Sequence, residues 1–180
     1  MQKLFLIILL FTTTSTLFGQ KYNWIDSKSR IDFSIKNFGV NVRGTIKNLN
    51  GKLEWNLNNI SGTVLEASLD ASTINTGISS RDAHLKKAQY FSIAQFPYIL
   101  YKSNSIQKID KDTYKSTGVI TIKGISKIID LPFKIQIIGD DLIFIGETTI
   151  NRVAFNVGDK SLIMSDEVKI KITAFAKKEI

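Results

Sequence analysis

Apolar and polar residues alternate at period two along most of the chain. In Arg30–Lys36 the apolar side chains Ile31, Phe33 and Ile35 fall on one face, and Val168–Ala176 shows the same alternation near the C-terminus. Because successive side chains of a β-strand point to opposite faces, this period is typical of strands with one buried face. Comparable stretches separated by turn residues predict about eight strands.

The connections between these strands are short, so the pattern favours an antiparallel sheet over alternating strands and helices. Such a sheet removes its exposed edges by closing on itself. The interior of an eight-stranded barrel either fills with side chains or holds one small ligand. The inward residues here are mainly Ile, Leu, Phe and Ala, which leaves both a packed core and an apolar lumen open. The pair Asn50-Gly51 indicates either a tight turn or a bulge inside a longer strand.

Residues 80–97 interrupt the β pattern. Ser79–Asp82 fits a Ser-x-x-acid capping box, in which the first hydroxyl and the last carboxylate satisfy free N–H groups at a helix start. Pro97 ends the segment, because the residue before a proline avoids the helical conformation. The segment also holds His84, the only histidine of the chain. It predicts one short helical insertion between two strands, placed to cover an open end of the barrel.

The N-terminus has the pattern of a secretory signal peptide. Lys3 precedes the apolar run Leu4–Phe11 and a tail of small residues that reaches Gly19. The run is too short to span a bilayer. We therefore predict a signal peptide at residues 1–19, a single barrel domain at residues 20–180, and a periplasmic or secreted location. The chain has no cysteine, which excludes a disulfide and the lipid attachment of a lipoprotein.

The chain is basic, with a formal net charge of +8. Removing residues 1–19 removes Lys3 and no acidic residue, which leaves +7. The other lysines are scattered along the predicted strands and form no basic stripe interleaved with aromatic residues. This distribution argues against a nucleic-acid partner and favours at most a transient contact with a phosphate-bearing membrane surface.

The sequence offers little catalytic machinery. Without cysteine there is no thiol nucleophile, and a single histidine with no carboxylates grouped near it makes a poor metal site. No Gly-x-Ser-x-Gly, Gly-rich phosphate loop or His-Glu-x-x-His occurs. His84 follows Asp82 by two residues, so their side chains do not share a helix face. The sequence favours a binding protein without a cofactor over an enzyme, and a hydrogen-bonded helix residue over a catalytic role for His84.

Several motifs occur in order across the chain. They are Asp26-x-x-Ser29-x-Ile31-x-Phe33, Phe38-Gly39-Val40-x-Val42-x-Gly44, Asp70-Ala71-Ser72-x-Ile74-x-Thr76, Arg81-Asp82-x-His84-Leu85, Phe91, Phe96-Pro97-x-Ile99, Gly118-x-Ile120-Thr121-Ile122-x-Gly124-Ile125-Ser126-Lys127, Ile150-Asn151-Arg152-x-x-Phe155 and Asp166-Glu167-Val168-x-Ile170. With these motifs the chain resembles the YceI-like family of exported polyisoprenoid-binding proteins. The resemblance implies an all-β fold: an extended antiparallel eight-stranded lipocalin-like barrel with one short helical insertion by its mouth. It also implies that the lumen binds a long-chain isoprenoid of polyprenyl or quinone type, for transport, storage or sequestration.

The resemblance suggests which residues meet such a ligand. We expect the apolar lumen wall to include Phe33, Trp55, Leu69, Phe133 and Phe144. We expect a second group at the mouth, namely Arg81, Asp82, His84, Phe91, Asn151 and Arg152. The two arginines suit a phosphate or quinone oxygen, because a guanidinium fork matches such acceptors. Structural roles are equally open, among them an Asp82–Arg152 ion pair, a turn closed by Asn151 and a core position for Phe91.

Two positions depart from the family pattern. Asn37 and Lys28 stand where the family tends to carry histidines. If those histidines touch a ligand head group, this chain binds a different one. Two rival functions also stay open, a structural or adhesive surface barrel without a ligand, and a hydrolase or isomerase that uses His84. The sequence is compatible with a monomer and with a dimer.

Overall fold

A computed structural model of the chain describes residues 19–57 and 59–179. The predicted signal peptide, residues 1–19, lies outside the described residues except for Gly19. The described chain is mostly strand. Its strands are β1 Gln20–Asn37, β2 Val40–Asn50, β3 Leu53–Trp55, β4 Val64–Asn75, β5 Tyr98–Lys108, β6 Thr113–Ile122, β7 Ile125–Ile138, β8 Asp141–Asn151 and β9 Met164–Lys178. Single-turn 3-10 helices occur at Ile60–Gly62 and Val153–Phe155, and the α-helix α1 spans Ser79–Leu85.

The strands form one closed antiparallel sheet. From β4 to β9 each strand pairs with the next one along the chain, and β9 returns to pair with β1. Strands β2 and β3 share one place in the sheet, since both lie between β1 and β4. The result is an eight-stranded antiparallel barrel of lipocalin type, which confirms the predicted fold class.

Asn50 and Gly51 form a bulge and not a hairpin turn. Strands β2 and β3 both run antiparallel to β4, so the chain keeps its direction through this pair. Gly51 has a φ of +134°, and a Cβ atom there would lie 2.2 Å from the carbonyl oxygen of Glu66 on β4. Only glycine allows both this conformation and this close approach of two backbones.

We expect Gly51→Ala to lower the free energy of unfolding by about 2 kcal/mol or more, because the new methyl group meets backbone that cannot turn away. Urea unfolding measures the loss. Gly139→Ala is the matched control, since Gly139 also has positive φ but nothing lies within 4 Å of its added Cβ. The control should cost only about 1 kcal/mol, the cost of the left-handed conformation alone. Equal losses in the two variants would show that the close approach to β4 is unimportant.

The first half of β1 does not alternate cleanly, and the structure shows why. The register between β1 and β9 shifts between Ile25 and Arg30. Inside this irregular stretch the Ser29 hydroxyl donates to the carbonyl of Ile25 (2.7 Å) and accepts from the backbone N–H of Phe175 on β9 (3.0 Å). The hydroxyl thus replaces a backbone hydrogen bond that is missing between β1 and β9, and this irregularity lets one long strand bend around the barrel.

The barrel has a packed end and an open end. At the packed end the rings of Trp55, Tyr114, Phe133 and Phe144 form an aromatic plug, beneath which Tyr22, Leu53 and Leu142 are also buried. At the open end a smaller cluster contains Ile120, Ile122, Ile150, Phe155 and Val157. Tyr101 and Ile170 pack against both clusters. We call the level of these two residues, between the clusters, the waist of the lumen.

Helix α1 is shorter than predicted and begins differently. Its N-cap residue is Ile78, which makes no side-chain capping bond, so the predicted capping box does not form. The Asp82 carboxylate instead accepts hydrogen bonds from the backbone N–H and hydroxyl of Thr76, which precedes the helix. The backbone N–H of Lys87 bonds to the carbonyl of His84, three residues back, and this tight turn ends the helix. Within the described chain, no helix is long and apolar enough to cross a membrane.

Candidate ligand-binding lumen

A cavity of about 240 Å³ lies between the aromatic plug and the open end of the barrel. Side chains from β1, β2 and β4 to β9 face it. Its apolar wall includes Ile31, Phe33, Ile46, Leu69, Ile120, Ile129, Phe144, Ile150, Ile170 and Ala174. The inward face of the barrel is therefore neither fully packed nor polar, and the structure has an apolar lumen.

The lumen is deep and narrow. On β9 its wall runs from Met164 at the mouth to Ala174 beside the plug. These ten residue steps span about 33 Å along the strand, or about 25 Å along the barrel axis for a strand tilt of about 40°. A lumen of this depth has room along its axis for an extended chain.

The aromatic plug closes the lower end. Trp55 and Tyr114 meet edge to face with ring centroids 4.8 Å apart, and Phe133 stacks on Phe144 at 4.4 Å. Within this cluster only Phe144 faces the cavity. The structure therefore places Trp55 and Phe133 inside the plug and not on the lumen wall where we expected them. Phe33 and Leu69 do lie on the wall, as does Phe144, and their contact with a ligand stays a prediction.

Residues 76–97 cover the mouth. Arg81, Leu85, Tyr90 and Phe91 face the cavity from this segment. Its far side is fastened to the loop between β8 and β9, where the backbone N–H of Gly158 donates to the carbonyl of Gln89 (3.0 Å). The ammonium group of Lys123 joins the same two elements, because it donates to Gln89 (3.2 Å) and to Asn156 (2.6 Å). We call this segment the cover; its two ends continue into β4 and β5, and these bonds fasten its Gln89 part to the β8–β9 loop.

Arg152 is buried, with 4% of its surface exposed. Its guanidinium donates to the backbone carbonyls of Ser165 (2.9 Å), Val157 (3.0 Å) and Asp159 (2.8 Å). It also forms a 3.2 Å ion pair with Asp166. The partner of Arg152 is thus Asp166, and the alternative of an Asp82–Arg152 ion pair is not formed. Because its donors are directed at protein oxygens, Arg152 holds the β8–β9 loop in place. Its side chain also lines part of the cavity.

Arg81 differs from Arg152 because its guanidinium is only partly used. Nε donates to the Thr76 hydroxyl (2.8 Å) and Nη2 to the Thr76 carbonyl (2.9 Å). Among the described residues, none accepts a hydrogen bond from Nη1. Asp82 holds Thr76 from the other side, so it positions Arg81 without facing the cavity itself. Arg81 is therefore the cation at the mouth with hydrogen-bonding capacity to spare.

Three other residues that we expected at the mouth make contacts with neighbouring parts of the protein. The exposed ring of His84 packs edge-on against Tyr90, with centroids 5.0 Å apart, and does not face the cavity. The Asn151 side chain accepts hydrogen bonds from the backbone N–H groups of Val153 (2.9 Å) and Ala154 (3.2 Å), so it closes a turn as the structural alternative supposed. Phe91 packs against the open-end cluster and also lines the cavity.

Sequence reasoning missed several lining residues. Thr76, Tyr90 and Tyr101 all face the cavity, as does Asn37, which had been noted only as a departure from the family pattern. The Tyr101 hydroxyl is 2.7 Å from that of the fully buried Ser116, and burial raises the pKa of Tyr101. The alternation of Ile99, Tyr101 and Ser103 could have identified Tyr101 as inward-facing. Across the described residues no group of three or more potential metal ligands occurs.

Comparisons with known proteins agree with this architecture. The model of the YceI-like domain matches residues 22–176. Protein YceI of Salmonella arizonae is 29% identical over 135 residues, which cover 74% of this chain and 70% of the relative. The crystal structure of BcnA from Burkholderia cenocepacia aligns with a TM-score of 0.82 at 23% identity, over 86% of this chain and 99% of BcnA. A polyisoprenoid-binding domain from Saccharophagus degradans, implicated in plant cell wall breakdown, aligns with a TM-score of 0.71 at 13% identity, over 88% and 98%.

Proposed function

The chain belongs to the YceI-like family, and we propose that it is an exported protein whose barrel holds a long-chain isoprenoid lipid for transport, storage or sequestration. The observation that carries the proposal is the distribution of polarity in the lumen. The polar lining residues Asn37, Thr76, Arg81, Tyr90 and Arg152 lie at the mouth, and the shaft below is apolar. In the shaft, the hydroxyls of Tyr101 and Thr148 are hydrogen-bonded to protein oxygens. This arrangement fits a molecule with one long apolar chain and one polar end.

Removal of the chain from water supplies the affinity. Each buried methylene contributes about 0.8 kcal/mol. A chain that fills the shaft therefore gains far more from burial than one polar contact provides, which is about 1 kcal/mol for a typical hydrogen bond. We infer that the shaft selects for length and slenderness and only the mouth selects for the head group.

Arg81 is the residue best placed to bind a head group. It faces the mouth of the lumen and has an unused N–H edge, whereas the donors of Arg152 are engaged by the β8–β9 loop. A phosphate or a quinone carbonyl accepts from such an edge. Asn37, which also lines the cavity, adds an amide that can donate or accept.

The rival function of a ligand-free structural barrel would be favoured by a fully packed interior. The open shaft above the aromatic plug speaks for the lipid-binding proposal instead. The polyisoprenoid-binding domain from Saccharophagus degradans, a structural neighbour, supports the choice of ligand class.

We expect an organic extract of the purified protein to contain an isoprenoid lipid. The full-length chain is expressed in a Gram-negative host, purified without detergent and extracted for mass spectrometry. Protein that emerges empty is then offered octaprenol and octaprenyl quinone from ethanol, and uptake is followed by native mass spectrometry. Intact mass also reports whether residues 1–19 have been removed, as export predicts. A protein that is empty and takes up neither probe would overturn the proposed ligand class.

A further inference from the structure

Two apolar tips stand beside the mouth of the lumen. The β1–β2 turn exposes Phe38 and Val40, at 72% and 66% of their surfaces. The loop before β9 exposes Leu162 and Ile163, with Leu162 fully in solvent. The backbone N–H of Phe38 donates to the carbonyl of Ile163 (2.8 Å), so the two tips are joined. We call these four side chains the apolar rim.

The apolar rim borders a cleft that adjoins the lumen. A shallow cleft outside the barrel is lined by Phe38 and Ile163 of the rim. It shares Asn37, Tyr90 and Met164 with the wall of the lumen, so these residues lie between the cleft and the lumen. An opening between the apolar rim and the Tyr90 part of the cover would form a side entrance to the lumen. A lipid that leaves a bilayer here would pass from the rim to the lumen across a cleft that also carries Gln89, Asp159, Lys160 and Ser161.

The charges around the rim suit an anionic surface. Residues 36–43 and 159–164 contain the basic residues Lys36, Arg43 and Lys160 and one acid, Asp159. All three basic side chains are exposed, and among the described residues none of them has an ion-pair partner. Asp159 accepts from the Gln89 amide (3.3 Å). Exposed apolar side chains surrounded by unpaired lysine and arginine are the features that bring a protein to an anionic lipid interface.

We propose that the apolar rim docks this protein onto an anionic lipid bilayer and opens the side entrance to the membrane. This inference rests on the proposed function, because it describes how the lumen would exchange its isoprenoid. Docking places Phe38 and Leu162 among the lipid head groups, with the basic side chains facing the phosphates behind them. The charged contact is weak and screened by salt, so docking is reversible.

The test compares two double variants of exposed residues. F38S with L162S removes the largest side chains of the rim. I109S with I138S removes two exposed isoleucines (61% and 60%) at the packed end of the barrel. Binding is measured by flotation with vesicles of equal phosphatidylcholine and phosphatidylglycerol. We expect the rim variant to bind at least about tenfold more weakly, since one large apolar side chain kept out of the membrane costs roughly that factor. The packed-end control should bind like wild type.

A second measurement separates docking from ligand binding. Octaprenyl quinone is supplied either from ethanol or from the same vesicles. The rim variant should take up quinone from ethanol like wild type but acquire it from vesicles about tenfold more slowly. High salt, or vesicles of phosphatidylcholine alone, should weaken the docking of the wild type.

The outcomes are distinct for the two proposals. Rim-dependent flotation of a protein that takes up no quinone from either source would support docking and overturn the isoprenoid proposal. Quinone uptake with equal flotation and equal vesicle transfer for wild type and rim variant would overturn docking alone. If the substitutions only convert a dimer to a monomer in gel filtration, with no vesicle effect, the rim is a self-association surface and docking is again overturned.

Discussion

Ile170→Trp should abolish retention of the isoprenoid, with binding at least about a hundredfold weaker. Ile170 lies at the waist of the lumen, where its side chain packs against both the packed-end and open-end clusters. An indole at this point fills the shaft, and a ligand chain can no longer reach the wall near Leu65, Ala67 and Ala174. Losing the burial of four methylenes, at about 0.8 kcal/mol each, already corresponds to a factor of a few hundred. Native mass spectrometry with octaprenyl quinone measures the loss.

The matched control is Thr173→Trp. Thr173 lies on the same strand but points outward and is exposed, so the same ring is added without entering the lumen. The control should retain full uptake. Overpacking at Ile170 is expected to change the free energy of unfolding by less than about 3 kcal/mol, because the ring grows into a cavity and not into packed core. Full lipid occupancy in Ile170→Trp would mean that the ligand does not run down the shaft.

The barrel itself could be predicted from the sequence because its signal is local. In β7 and β9 the inward and outward side chains alternate residue by residue, and the sequence shows that alternation directly. The first half of β1 was missed because the bend between Ile25 and Arg30 breaks the period. There the ladder is completed by the Ser29 hydroxyl, which no periodicity can reveal.

Depth inside the barrel could not be predicted. Period two separates inward from outward residues, but it does not say how far along the axis an inward residue lies. Phe33 and Phe133 have the same kind of pattern, yet one lines the lumen and the other stacks inside the plug. Their positions depend on the registers of β1 with β9 and of β7 with β8, which close the barrel across distant parts of the chain.

The polar residues at the mouth illustrate a second limit. Asp82 satisfied a four-residue capping pattern, but its actual partner, Thr76, precedes the pattern. Arg152 is held by backbone carbonyls of the loop that follows it. Every residue has such a carbonyl, so the sequence does not indicate which ones accept a hydrogen bond. The resemblance to the family indicated Arg81 and Arg152 alike. Only the geometry shows that Arg81 has N–H donors to spare, whereas the donors of Arg152 are bound to the loop.

We expect Arg152→Met to lower the free energy of unfolding by about 3–5 kcal/mol, because Arg152 is buried and its loss leaves the half-buried Asp166 carboxylate without this partner. Methionine fills a similar space but leaves the carbonyls of Val157, Asp159 and Ser165 without donors, and a buried acceptor left unpaired costs about 1–3 kcal/mol. Urea unfolding measures the change. Arg43→Met, at an exposed arginine on β2, should stay within about 0.5 kcal/mol of wild type.

The same variant tests whether Arg152 serves the fold or the ligand. The β8–β9 loop that Arg152 organises also holds the cover through the bond from Gly158 to Gln89, so loosening the loop should expose the backbone of both elements to faster hydrogen exchange. Arg152→Lys keeps the charge but not the planar fork, and it should fall between wild type and Arg152→Met in stability. It also gives a folded sample should the methionine variant fail to fold. A variant as stable as wild type that no longer distinguishes octaprenyl quinone from octaprenol would instead make Arg152 a head-group ligand, because the two probes differ at their polar ends.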